Sequence, residues 1–307
     1  MKQMNTIVKP LLFSALLFAS AVMQAQETEL ELLHVQGQVW MVAGGGGNTT
    51  LLVGDQGIVV VDTKLAQASE ALISLLDEEF DVPIRWIINT HIHGDHVGGN
   101  AAVSQAGDFL TGGPAAIYAH AGVMVSMVTS EAEFAAEALP GNTYGTPSME
   151  FYANGEAVQL IHQPAAHTDG DSIVFFRGSN VLVAGDIFTL GIYPIIDVDN
   201  GGSVRGYLDA LNNMLAIAIP NGIQQGGTYI IPGHGRITDE YELVNYRDML
   251  TVIYERIEDA IARGLSLEQV KAERLTRDYD PIYGADSGFW TTERFIEVIY
   301  AELSQRR

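Results

Sequence analysis

A mixed α/β fold in four layers, an α/β/β/α sandwich, is the architecture the sequence predicts, and three observations predict it. Short β-branched runs fall into two groups, one ending near Ile117 and one starting at Ala157. Amphipathic helical stretches accompany each group. His and Asp residues recur where strands stop, beside glycine or another small residue.

The elements follow in order. Lys2 and Lys9 precede an apolar run, Leu11 to Val22, that closes on small residues up to Ala25. This is the pattern of a cleaved secretory signal, so residues 1–25 are set apart and residues 26–307 are read as one domain, expected in the periplasm or outside the cell. The run is too short to span a bilayer, and no later segment approaches a span. Val35 to Ala43, Thr49 to Val53 and Ile58 to Asp62 then read as strands, with Gly44 to Gly47 as a flexible hairpin tip. A phosphate-cradling loop is the rival reading of those glycines, but no helix follows them. Leu65 to Glu79 has apolar spacing of three and four, and Ile84 to Ile88 is a buried strand. Helix resumes at Val97, a strand lies around Ile117, and a long helix runs through Ala138 to stop at Pro140 and Gly141. Strands at Ala157 to His162, Ser172 to Phe176 and Val181 to Ala184 precede a helix from Val204 to Ala218. A strand at Tyr229 to Ile231 and helices from Asp239 to Ala262 and Trp290 to Glu302 complete the chain.

The formal net charge is −22, and loss of Lys2 and Lys9 makes it two units more negative. Such a field repels nucleic-acid phosphates and anionic lipid, which leaves a small molecule as the expected partner. With no Cys there is no disulfide framework and no thiolate ligand for a metal.

Residues 91 to 96 read His-Ile-His-Gly-Asp-His, directly after a buried strand. In extended chain, residues two apart face the same way, so His91 and His93 can reach one ion. Gly94 lets the chain turn, and Asp95 and His96 can then serve a second ion. Further ligands are expected at other strand ends: His167 in a small polar turn, Asp186 after Val181 to Ala184, and His234 after Tyr229 to Ile231. Imidazole and carboxylate without sulfur suit two Zn²⁺, with Fe or Mn as alternatives.

In these motifs the sequence resembles the metallo-β-lactamase superfamily. The resemblance runs from the opening strands to Gly235 and covers all five motif positions of that family. It implies the family's four-layer sandwich, a first ion on His91, His93 and His167, a second on Asp95, His96 and His234, and Asp186 bridging both. It also implies that Asp62 steadies the histidine loop. The expected activity is metal-dependent hydrolysis of an ester, thioester, lactone or amide, with Asp95 orienting the nucleophile and passing a proton to the leaving group. Three rival readings stand beside it: a β-lactamase proper, a mononuclear iron dioxygenase of sulfur compounds, and a non-catalytic metal-binding periplasmic protein. The best-known lactamase subclass has Cys at the position of Asp186 and a Lys soon after, which this chain lacks. The basic residues of glyoxalase II are not evident, and the Tyr that many lactonases of this fold carry is replaced by Thr189.

Among the remaining residues, His162 is a candidate to hydrogen-bond a ligand, whereas His34 and His120 read as structural. Asp169 and Asp171 read as turn formers. For substrate, Arg205 and Arg236 could grip a carboxylate or equally form surface ion pairs. Phe188, Ile192 and Tyr193 are expected to line the pocket, and Trp40 with the Gly44 to Gly47 hairpin is expected to form a mobile flap.

Overall fold

The computed structural model describes residues 29–305 apart from Glu131 and Gln225, so the signal segment lies outside the described residues. Val35 to Ala43 is not one strand. It divides at a turn where Gly37 takes φ 59°, giving β1 (Glu31–Gln36) and β2 (Val39–Ala43). Then follow β3 (Thr49–Gly54), β4 (Gly57–Val61), α1 (Ser69–Glu79), β5 (Ile84–Ile88), α2 (Gly94–Val97), α3 (Asn100–Ala106) and β6 (Ala116–His120). The long helix expected next is shorter: α4 (Ala121–Thr129) ends where Ser130 turns extended, and only a single 3₁₀ turn forms at Ala136–Ala138. β7 (Asn142–Tyr144) and β8 (Ser148–Ala153) were not legible as strands, being short and largely exposed. β9 (Glu156–His162), β10 (Ser172–Phe176), β11 (Val181–Thr189), α5 (Val204–Ile217) and β12 (Tyr229–His234) lie close to their expected places, as does α6 (Glu240–Ala262), capped by Asp239. α7 (Leu267–Glu273), α8 (Asp280–Tyr283) and α9 (Thr292–Gln305) finish the chain.

β1 to β7 form a seven-stranded sheet in sequence order, and β12-β11-β10-β9-β8 form a five-stranded one. The period of two along each strand decides the layering. Val59, Val61 and Ile88 face Val181, Val183 and Ile231 across the gap between the sheets, and all are buried. Their neighbours Ile58, Val60 and Ile87 face outward onto Leu72 and Leu76 of α1 and Val103 of α3. Leu182 and Ile230 face outward onto α5, α6 and α9. This is the expected α/β/β/α order. At roughly 1.5–3 kcal/mol for each large aliphatic side chain fully buried, the three apolar layers are the main source of cohesion. Among the described residues no helix is long and apolar enough to cross a membrane.

One feature of the first sheet prepares the functional site. After β4 the chain turns with positive φ at both Asp62 (63°) and Lys64 (66°), conformations that cost a non-glycine residue energy and persist only where surroundings hold them. Here the hold is direct: Lys64, fully buried, donates from Nζ to the carbonyls of Val42 and Gly47, each at 2.9 Å. The Gly44 to Gly47 segment, expected as a flap, is a turn held at Val42 and Gly47 by this ammonium. Asn48 secures its far end by donating to the carbonyls of Pro232 and Gly235.

Burial brings the Lys64 ammonium down from 10.5 to about 7, against the opposing pull of Asp62. Between those two values the unfolded chain holds a proton that the folded chain has released, so stability rises with pH across that window. In urea unfolding, the wild type should gain stability relative to Lys64→Met on going from about pH 7 to about pH 10. The same pH response in both proteins would contradict this account of Lys64.

Candidate metal centre

Three strand ends, the interior of a fourth strand and one loop supply the site. Asp62 follows β4, the hexapeptide follows β5, Asp186 lies within β11, and His234 ends β12. His167 stands in the loop between β9 and β10. Two groups of side chains result: His91, His93, His167 and Asp186, and beside them Asp95, His96 and His234. Within each group the ligand-type atoms lie within 4.8 Å of one another. All seven residues expected from the sequence thus converge.

The hydrogen bonds behind these residues decide what each imidazole offers, because a neutral ring carries one proton and an acceptor outside the site fixes where it sits. Asp62 is the hub. Its Oδ1 accepts from the backbone N–H of Thr90 at 2.8 Å, and its Oδ2 accepts from Thr90 Oγ1 at 2.7 Å and from His96 Nδ1 at 2.8 Å. With the Thr90 hydroxyl proton committed to Asp62, Thr90 Oγ1 accepts from His91 Nδ1 at 3.0 Å. His167 donates from Nδ1 to the carbonyl of Ile195 at 2.7 Å. His93 donates from Nε2 to Asp197 Oδ2 at 2.8 Å. In all four rings the nitrogen held by the protein faces away from the centre, so the other nitrogen faces inward, with a lone pair wherever the ring is neutral.

Those inward atoms test whether a metal fits. His91 Nε2, His96 Nε2 and Asp186 Oδ1 are buried without a hydrogen-bond partner. His93 Nδ1 and His167 Nε2 face each other at 2.9 Å with the proton of each ring engaged elsewhere. Buried polar atoms left unpaired, and two lone pairs in contact, are costly unless a cation lies among them. The Asp186 carboxylate is placed between the groups: Oδ2 is 3.9 Å from His91 Nε2 and 3.8 Å from His167 Nε2, while Oδ1 is 3.2 Å from His96 Nε2 and 3.5 Å from His234 Nε2. The donor set, all imidazole and carboxylate, fits one or two divalent cations such as zinc.

Without a cation these groups perturb one another strongly. Burial, with neighbouring His96, pushes His91 well below the usual histidine range, and burial takes His167 down to about 4. Burial also opposes charge on His96, yet the carboxylates of Asp186 and Asp62 outweigh it and hold that ring well above its ordinary value. The reciprocal holds for Asp186, kept ionised by His96 and His234 although burial works the other way. His234 rises to about 9 because the neighbouring carboxylates of Asp186 and Asp95 outweigh its burial penalty. Asp95, with Oδ2 3.1 Å from His234 Nε2, is held below the usual carboxylate range, the same hydrogen bond outweighing burial.

Two glycines let backbone approach this close. A Cβ on Gly47 would enter the His96 ring, and one on Gly233 would enter Asp186 Oδ1. The hexapeptide is held from behind by Thr63, whose backbone N–H donates to the His96 carbonyl at 2.7 Å and whose hydroxyl donates to Asn100 Oδ1 at 2.9 Å.

The secondary candidates fare unequally. Asp62 sits where expected and does what the resemblance implies. His162 touches none of the seven: it stacks on His120 at 3.5 Å and hydrogen-bonds the Asp169 carbonyl at 2.8 Å, so it braces the loop that carries His167. Asp171 fixes the same loop, accepting from the Thr168 amide and hydroxyl. Trp40 lies on the outer face of the first sheet against His34 and Phe80, because Val39 and Met41 on either side of it face inward. Tyr193 is buried, stacked on Phe295 at 4.5 Å, with its hydroxyl on Asp280. Phe188 and Arg236 line a neighbouring cavity of about 550 Å³, and Arg236 is bound to Glu242. Arg205 is exposed on α5 and lies 4.0 Å from Asp209. Of the expected pocket residues, only Ile192 lines the cavity beside the metal groups. Two positioning residues had no expectation attached: Thr90, and Asp197 on a 3₁₀ turn far along the chain from His93.

Asp197→Ala removes the acceptor that holds the proton of His93 outward. Zinc affinity, read by calorimetric titration, should fall about 10- to 100-fold. An unchanged affinity would show that His93 is oriented by other means.

The profile of the metallo-beta-lactamase superfamily matches residues 42–234. A type 2 metallo-beta-lactamase of Bacillus sp. is 22% identical over 206 residues, 66% of this chain and 72% of that protein. The alpha subunit of a 2,4-dinitroanisole O-demethylase of Nocardioides sp. is 27% identical over 170 residues, 53% of this chain and 48% of that one. Among solved structures, a metallo-beta-lactamase from Pontibacter korlensis superposes with a TM-score of 0.57 at 16% identity, over 73% of this chain and 99% of that one. The sec-alkylsulfatase Pisa1 from Pseudomonas sp. gives 0.68 at 17% identity, over 89% of this chain but 50% of its own length. At these identities the structural likeness speaks for the fold, and the family match spans more than half of the sequence. The chain belongs to the metallo-beta-lactamase superfamily of hydrolases.

Proposed function

We propose that this protein is a dimetal hydrolase, holding two zinc ions and cleaving an ester, thioester, lactone or amide bond in a small molecule. The observation that carries the reading is the set of four imidazoles whose inward nitrogens are free while their outward nitrogens are held by Asp62, Thr90, Ile195 and Asp197. His91, His93 and His167 would hold one cation and Asp95, His96 and His234 the other, with Asp186 shared. When bound, such cations lower the pKa of water toward 7 and polarise the bond to be cut, each effect worth several kcal/mol.

The chain's own residues supply the rest. In the net reaction the oxygen of water joins the acyl carbon, the bond to the leaving group breaks, and one proton of water ends on the leaving atom. Asp95 is the residue to carry that proton. It is ionised, and its side chain lines the open cavity with partial exposure, whereas Asp186, which lines the same cavity, is buried. Asp186, buried and ionised, balances the charge of the centre. The Asp62 network keeps the imidazoles from turning when substrate arrives.

Activity should disappear on treatment with a chelator and return with Zn²⁺; turnover that survives complete metal removal would sink the proposal. Metal analysis separates the rivals, since about two zinc ions per chain favour hydrolysis and a single iron with oxygen uptake favours a dioxygenase. Asp95→Asn should lower kcat by roughly 10²- to 10⁴-fold in the zinc-loaded protein. Nitrocefin in the same assays reads the lactamase alternative.

A further inference from the structure

Beside the metal groups lies a cavity of about 630 Å³ whose remaining wall is Thr189, Leu190, Ile192, Ile195 and Phe289. Among the described residues no Lys or Arg lines it, although the sequence suggested two arginines to grip a substrate carboxylate. Arg236 is engaged by Glu242, and Arg205 projects from α5 beside Asp209. Arg294, close in sequence to Phe289, is turned away: it donates to the Phe289 carbonyl at 3.2 Å and lies over the Trp290 ring at 5.4 Å.

Phe289 is the unusual member of this wall. It is 71% exposed and lines the cavity, so a group seated in the cavity would cover the ring. Its position is built. Thr292 donates its N–H to the Ala285 carbonyl and its Oγ1 accepts from the Ala285 N–H, closing the base of the turn between α8 and α9. Trp290, only 4% exposed, anchors the turn in the core under α9. Gly288, at φ 106°, reverses the chain so that the ring stands at the cavity mouth. The segment carrying Leu190, Ile192 and Ile195 is tied to the same region, since the Tyr193 N–H donates to the Tyr283 carbonyl at 3.1 Å.

Resting on the hydrolase reading above, we propose that the site takes an uncharged substrate with an apolar acyl or aryl group, and that Phe289 determines this specificity by covering that group. A carboxylate placed against this wall would lose water without gaining a cation. The strongly acidic chain adds to its exclusion. An apolar group gains up to about fourfold in affinity for each methylene fully buried.

The zinc-loaded protein is assayed with p-nitrophenyl acetate, butyrate and hexanoate, and with the carboxylate-ended p-nitrophenyl monoester of succinate. kcat/KM should rise along the uncharged series, chiefly through KM, and should exceed the succinate value at least tenfold. Phe289→Ala should raise KM for hexanoate several-fold more than for acetate. Phe289→Lys, at an exposed position that tolerates it, should improve the succinate monoester at the expense of hexanoate. A preference for the succinate monoester, or the same KM pattern in Phe289→Ala, overturns the proposal while leaving hydrolysis intact. If no ester is turned over, ester cleavage is what fails, and binding decides the pocket. Saturation-transfer NMR with metal-free protein should then show contact with hexanamide, weakened in Phe289→Ala, and little with adipic acid monoamide. Equal contact with both amides would refute the assignment.

Discussion

A neutral imidazole has one proton and two nitrogens, and whichever nitrogen is tied to the protein leaves the other for the site. Everything else in this structure is arranged around that constraint. Asp62, buried at the end of β4, takes up the Thr90 amide, the Thr90 hydroxyl and the His96 ring, and through Thr90 it also settles His91. One carboxylate thereby orients two ligand-type rings and the start of the hexapeptide. The inter-sheet core holds β4 and β5 in the register this requires, with Val61 beside Ile88. The two left-handed residues after β4 and the buried Lys64 clamp hold the turn that brings Gly47 against His96.

The second sheet supplies the counterpart. Asp186 arrives on β11 with both oxygens directed at imidazoles, and β12 runs parallel to it so that His234 comes up alongside. The two sheets are bonded across the site, where the Ser172 N–H donates to the Thr90 carbonyl at 2.8 Å. The layers therefore do more than exclude water from a core. They bring carboxylates and imidazoles from distant parts of the chain to separations at which, without a cation, several buried atoms stay unpaired. Such an arrangement costs stability, which a bound cation would recover.

The hexapeptide was readable because its ligand types are adjacent, and His167, Asp186 and His234 because each sits beside small residues just past an apolar run or in a polar turn, although β11 continues through Asp186 to Thr189 and β12 includes His234. Asp62 needed the resemblance to a family, since an acidic residue ending a strand has many ordinary uses. Other features were out of reach for definite reasons. Asp197 meets His93 across 104 positions of sequence, and nothing local marks it. Phe289 is a lone aromatic in a turn, placed at the pocket only by the docking of the C-terminal helices. Trp40 could have been placed correctly: alternation with Val39 and Met41 puts it on the opposite face from the inter-sheet core. Closeness in sequence to a ligand misled for Arg236, whose guanidinium turns to Glu242 on the next helix. The helix expected through Ala138 failed because an apolar, alanine-rich composition persists past Ser130, where the backbone itself becomes extended.

The central claim is that the protein fixes the inward nitrogen of four of the rings before any ion arrives. Anomalous scattering at the zinc edge from crystals of the zinc-loaded protein tests it most directly. The account predicts two ions, one bonded to His91 Nε2, His93 Nδ1 and His167 Nε2, the other to Asp95, His96 Nε2 and His234, with Asp186 between them. An ion bonded to any of these rings through the nitrogen now held by Thr90, Asp197, Ile195 or Asp62, or no ion among them, would contradict it.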